Sequence, residues 1–268
     1  MPPQRKAGGD PEKTSGIKGQ TLTERARPSY DFIADPLIFL FLAFGAPITT
    51  MLGLLAGQRT LLPLMNAAVI FPFFALAVRR GRLARAVGFT LAWAACQALS
   101  IVILTWAVPE RAEYGVSQGI EYRAAMMQWL ATGQSSETTL ASFLPTYARD
   151  LGLLVLASLI SGGLGGLFII AKLLNYTGFY VAHLATYASH PLLLAFVAWP
   201  IWMLARVAGY SACCAVLAEP LLRLDWRAPL RRWRLLALGL SLIAAEAVFR
   251  IFLAPISLML LRWATDWA

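Results

Sequence analysis

The stretch LGLLVLASLISGGLGGLFIIA (151–171), followed by Lys172 and LLNYTGFYVAHLATYAS (173–189), decides how this chain is folded. Its first part is an apolar run of the length a helix needs to cross a bilayer, about 20 residues. Its second part is polar and aromatic, and hydropathy alone leaves it undecided. Four further runs, 36–56, 61–78, 86–108 and 235–261, meet that length or nearly so, and another, 191–222, is too long for one straight crossing. With 59% hydrophobic and 14% charged residues and a mean hydropathy of +0.64, the 268 residues carry too little polar surface to cover a water-soluble globule. The expected fold class is all-α, a polytopic transmembrane helical bundle.

Basic residues orient the spans. They crowd the tail before Ser29, the connection bearing Arg79, Arg80, Arg82 and Arg85, and the connection bearing Arg223, Arg227, Arg231, Arg232 and Arg234. The connection 109–150 instead sets Arg111, Arg123 and Arg149 against Glu110, Glu113, Glu121, Glu137 and Asp150. The positive-inside rule places the first three segments in the cytoplasm and the last outside. Both arginine connections can lie inside only if the chain crosses an even number of times, or not at all, between Lys172 and Arg223. Residues 173–189 therefore read as a short span or re-entrant segment, which gives about seven crossings (five is the alternative) with the N-terminus inside. The formal charge of +9 is first an orientation signal.

The domains follow. Residues 1–30 read as a disordered basic cytoplasmic tail and 31–268 as the membrane domain. Segment 109–150 reads as amphipathic helix on the outer face, with Trp129, Phe143 and Tyr147 as interfacial anchors. No signal peptide is read in the first 30 residues, which lack an apolar core. The expected location is a bacterial inner membrane. Cys96, Cys213 and Cys214 fall inside spans and read as packing residues.

Ser158, Gly162 and Gly166 repeat every four residues, a spacing that lets two membrane helices approach closely. The second half, about 151–232, resembles the stage II sporulation protein M family of membrane proteins. The resemblance is carried by Ser161-Gly-Gly-Leu-Gly-Gly166, by Asn175 with Gly178, by a segment centred on Pro200, by Gly209 and by the basic run after Pro220. That family's Pro-His-Gly is absent here, since Ile201 and Trp202 follow Pro200. The resemblance implies a non-enzymatic envelope component working in a multiprotein complex.

Ionisable and polar groups at membrane depth are costly and point to function. Glu246 and Arg250, four apart, share a helix face and can pair. Arg206 and Glu219 are thirteen residues apart and cannot pair along a straight helix. Asn66 and Asn175 can hydrogen-bond between helices. Asn175, Arg206, Glu219, Glu246 and Arg250 are the candidates for a substrate or ion path, around a break at Pro200. His183 and His190, seven apart on one helical face, are candidate ligands for a haem or chlorophyll-like macrocycle; two turns separate them too far for one metal ion. No metal site, catalytic constellation or phosphate loop is read.

These features favour a non-catalytic subunit of a larger membrane complex, with the bilayer and other subunits as partners. An acidic cytoplasmic partner or anionic lipid would meet the arginine connections. A permease-like transporter is the first alternative and a pigment- or haem-ligating subunit the second. Nucleic acid is not expected, because topology already requires the arginines. The cofactor, if any, is open.

Overall fold

A computed structural model describes Ile33 and residues 35–134, 140–190, 193–194 and 197–265; the tail 1–30 lies outside the described residues. Everything regular in them is helical: α1 (Leu37–Ala56), α2 (Leu61–Arg79), α3 (Leu83–Ala107), α4 (Pro109–Gly115), α5 (Gly119–Thr132), α6 (Leu140–Ser161), α7 (Leu164–Leu184), α8 (Ile201–Arg223), α9 (Ala228–Arg231) and α10 (Trp233–Thr265). Six of these, α1, α2, α3, α7, α8 and α10, are long and apolar enough to cross a membrane. The protein is an all-α, multi-pass membrane bundle.

α6 is a seventh long helix. Its 22 residues span about 33 Å, but Arg149 and Asp150 lower its apolar character. It packs along α7 and α8. At one end of the bundle Arg79 Nε donates to the carbonyl of Leu222, and Gly162 sits against the Leu222 side chain. The α2–α3 connection, the α6–α7 turn and the end of α8 therefore meet there, at a basic end. At the opposite end Arg262 donates to the carbonyls of Leu130 and Ala131, and the N–H groups of Ser189 and His190 donate to the carbonyl of Ala264. The long helices alternate in direction, so α1 starts at the basic end and α10 finishes at the other.

The stretch 151–171 is not one span. Gly162 (φ +61°) and Gly163 (φ +98°) take left-handed conformations and reverse the chain, dividing the stretch between α6 and α7. A hydropathy run continues across such a turn because glycine and leucine score as apolar whatever their φ. The helix that follows is correspondingly longer than the short span expected at 173–189. The packing role of the small residues survives in part. A Cβ on Gly166 would fall 2.2 Å from Ser158 Oγ and 2.6 Å from Cys214 Sγ, so α6, α7 and α8 touch here inside the bundle. Gly162 belongs to the turn rather than to a helix seam.

Three further expectations concern Pro200, the segment 109–150 and its aromatic residues. The run 191–222 breaks at Pro200 as expected: Leu193, Leu194 and Val197 are helical, Pro200 is extended (ψ 119°), and α8 starts at Ile201. Among the described residues of 109–150, α4 and α5 precede residue 135, and residues 140–150 are already α6. Trp129 and Tyr147 are not interfacial anchors but buried, Trp129 edge-on to Trp202 and Tyr147 donating to the carbonyl of Ile243 (2.6 Å). An aromatic ring with one polar atom suits an interface, but also a core offering an acceptor. The Phe143 side chain lies outside the description.

α8 and α7 form the centre, with 78% and 67% of their apolar windows buried, whereas α10 buries only 22% and lies at the periphery. α10 is pinned to α8 where Gly209 and Gly239 meet: a Cβ on Gly209 would fall 2.8 Å from the Gly239 carbonyl oxygen. Without a hydrophobic drive between helices in lipid, such close backbone contact supplies the dispersion that holds them.

The turn yields a first prediction. A Cβ on Gly163 would meet Phe74 Cε1 at 2.4 Å at a φ that side chains disfavour, so Gly163→Ala lowers stability by about 2–4 kcal/mol. Gly152 lies in mid-helix, where a Cβ would meet nothing within 4 Å, and tolerates alanine without loss. Unfolding of both variants in mild detergent checks the contrast.

Candidate functional site

Three groups of polar residues among the described residues bear on a site. The first is a neutral network in the α1–α2–α3–α7 core. The Thr50 hydroxyl lies 2.7 Å from the Ala46 carbonyl and 3.0 Å from Gln97 Oε1. Gln97 Nε2 and Asn66 Nδ2 both donate to Asn175 Oδ1, at 2.9 and 3.3 Å. All four residues are buried. Asn66 and Asn175 thus hydrogen-bond between helices as their positions predict, and Asn175 belongs to this cluster rather than to a charged path. Thr50 and Gln97 were not singled out by sequence, because single uncharged polar residues are common in membrane helices.

The second place is charged. Arg206 on α8 and Arg250 on α10 both donate to Oε1 of Glu246, at 2.6 and 2.8 Å. Glu246 is 0% exposed and the two arginine side chains 11% and 7%. The intrahelical pair Glu246–Arg250 forms as the four-residue spacing predicts, but the cross-helix Arg206 makes it a trio with one net positive charge. Arg206 also stacks over the Tyr147 ring of α6, 5.3 Å from its centroid, and its Nε has no hydrogen-bond partner.

Arg206 forms part of the wall of a cavity of about 550 Å³ between α6, α7 and α8. Its apolar lining comes from Leu153, Ala157, Phe168 and Ile169, and its polar lining from Arg149, Asp150, Lys172, Tyr176, Arg206 and Tyr210. Arg149 and Asp150 pair with each other at 3.2 Å. The other cations facing the cavity are Lys172 and Arg206, the latter sharing Glu246 with Arg250. The lining reaches from Gln118, at the opposite end, to Gly165 in the first turn of α7. Gly165 and Tyr176 alone are about 16 Å apart along α7, so the cavity occupies much of the bundle's depth.

Lys172 and Tyr147 are the residues sequence reasoning misplaced. Lys172 read as the flank of a span ending at 171, yet it is the ninth residue of α7. The signal that could have found it is the spacing of Lys172 and Tyr176, four apart and so on one helix face.

The third place is the basic end. Glu219, 1% exposed, pairs with Arg223 at 2.6 Å and approaches Arg232 at 3.8 Å. It is separate from Arg206, as the spacing along α8 requires.

The histidines do not share a helical face. α7 ends at Leu184, a 3-10 turn follows at Ala185–Tyr187, and His190 lies beyond it. His183 Nδ1 is 2.9 Å from the Phe179 carbonyl and its Nε2 is 4.0 Å from Glu113. His190 stacks on Trp263 with centroids 5.0 Å apart. Among the described residues no group of three or more His, Cys, Asp and Glu is placed to hold a metal ion. Cys213 and Cys214 are buried and unbridged.

Compared with protein-family models, with characterised proteins and with solved structures, the chain matches none.

The trio makes an ordered prediction. Glu246→Ala removes the carboxylate that Arg206 and Arg250 share at depth and costs about 3–5 kcal/mol. Arg250→Ala leaves the neutral pair Arg206–Glu246 and costs less. Denaturant titration of both variants in detergent reads the order; an equal loss would show that the trio is solvated rather than buried.

Proposed function

We propose that this protein binds an anionic, partly apolar molecule within the bilayer and passes it along the cavity between α6, α7 and α8, a permease-like role. The observation that carries this reading is the position of Arg206. It faces a deep cavity while sharing its one carboxylate with Arg250, so the cavity wall keeps a positive charge that a ligand can neutralise. Lys172 adds a second cation and the remaining wall is apolar or aromatic, which suits a molecule with an acidic head and a hydrocarbon body. The proposed activity is binding and passage without a chemical step. The positive-inside rule sets the arginine-bearing end in the cytoplasm, the orientation of a protein of the bacterial inner membrane.

A non-catalytic role in a larger complex is the competing reading. Its sequence support is the small-residue repeat, the lack of a catalytic constellation, the arginine connections and the amphipathic segment, and of these Ser158 and Gly166 use the repeat for contacts within the chain. Recovery of a stoichiometric partner on purification in mild detergent would favour it.

Dodecanesulfonate is a suitable probe because its head stays ionised and cannot cross a bilayer unaided. It should raise the melting temperature of the purified protein in a non-ionic detergent, whereas dodecyltrimethylammonium should not. Arg206→Gln keeps the Glu246–Arg250 pair electrically balanced, so this variant should fold yet lose about tenfold or more in affinity. Proteoliposomes should take up the sulfonate, and those carrying Arg206→Gln should not. An unchanged affinity in Arg206→Gln would refute the reading.

A further inference from the structure

The basic end holds a second cavity, of about 250 Å³, walled by Glu219, Arg223, Ala228, Arg231 and Arg232. It is distinct from the cavity at Arg206 and shares no lining residue with it. We propose that it is a binding site for the headgroup of an anionic glycerophospholipid whose headgroup carries hydroxyl donors, of the phosphatidylglycerol kind.

Three observations lead there. The first is charge. Three arginines line the cavity against one carboxylate. Asp225 pairs with Arg231 and Glu219 is shared by Arg223 and Arg232, so three guanidinium groups face two carboxylates and one positive charge is left over. Guanidinium forks match phosphate oxygens in geometry as well as sign.

The second observation is Glu219. A carboxylate in an anion site would repel the ligand were it not held by Arg223 and Arg232. Its Oε2 is buried and accepts no hydrogen bond. A ligand that offers anionic oxygens to the arginines and a hydroxyl to this oxygen satisfies both halves of the wall. A bare phosphate diester satisfies only one.

The third observation selects lipid as the source. The short segment around the cavity exposes Leu224 (83%), Trp226 (71%), Leu230 (76%) and Trp233 (61%). Leu224 does so at φ +54°, a conformation uncommon for leucine, as it ends α8. Four large apolar side chains beside an arginine cavity suit the boundary between headgroups and acyl chains, where tryptophan concentrates. A soluble anion needs none of them.

The test is a lipid titration of the full chain in dodecyl maltoside, read by native mass spectrometry. Dioleoyl phosphatidylglycerol should bind at one saturable site about tenfold or more tighter than dioleoyl phosphatidylcholine. The double variant Arg231→Ala, Arg232→Ala should erase that preference, whereas Arg234→Ala, at the same end but outside the cavity, should keep it. Phosphatidylmethanol has the same charge and no headgroup hydroxyl, and should bind several-fold more weakly than phosphatidylglycerol. The proposal is overturned if the double variant keeps the preference, if Arg234→Ala loses it equally, or if phosphatidylmethanol matches phosphatidylglycerol. Displacement of the lipid by millimolar inorganic phosphate would likewise overturn it, assigning the cavity to a soluble ion.

Discussion

One carboxylate oxygen, Oε1 of Glu246, accepts from two guanidinium groups on two helices. In a medium without water this is the arrangement on which the charged half of the bundle depends. α10 is peripheral and mostly lipid-facing, yet it carries the anion that lets the central helix α8 keep Arg206 at depth. Two cations and one anion leave a residual charge, and that charge lies against the cavity rather than against lipid. The same three residues thus serve cohesion between α8 and α10 and give the cavity its electrostatic character.

The other polar residues obey the same constraint by different means. Thr50, Asn66, Gln97 and Asn175 bond to one another across four helices and carry no net charge. Glu219 lies where α8 approaches the basic end, and its arginine partners extend toward water. A neutral network, a charged trio and a carboxylate held by two arginines at the basic end are three solutions to the burial of polar groups.

Some pairings were legible because they are local. Glu246 and Arg250 share a face by spacing alone, and the separation of Arg206 from Glu219 follows from helix rise. The meeting of Arg206 with Glu246 was not legible, since they are forty residues apart and only the packing of α8 on α10 unites them. Lys172 and Tyr147 were misassigned for one shared reason. The Gly162–Gly163 turn shifts the boundary of α6 and α7, which carries both residues from supposed membrane edges into the bundle, one against the cavity and one against α10. The histidine pair failed for a related reason, a 3-10 turn that ends the helical register before His190.

By itself the sequence determined that this is a multi-pass helical membrane protein, because apolar length and composition depend on no long-range contact. The clustering of arginines likewise marked one end of the bundle, since charge is a property of the segment. Where the chain turns within an unbroken apolar run was decided by backbone conformation at two glycines, which hydropathy does not register. Which buried charges meet, and which of them face a cavity, was decided only by the packing of α6, α7, α8 and α10, because the partners come from distant parts of the chain.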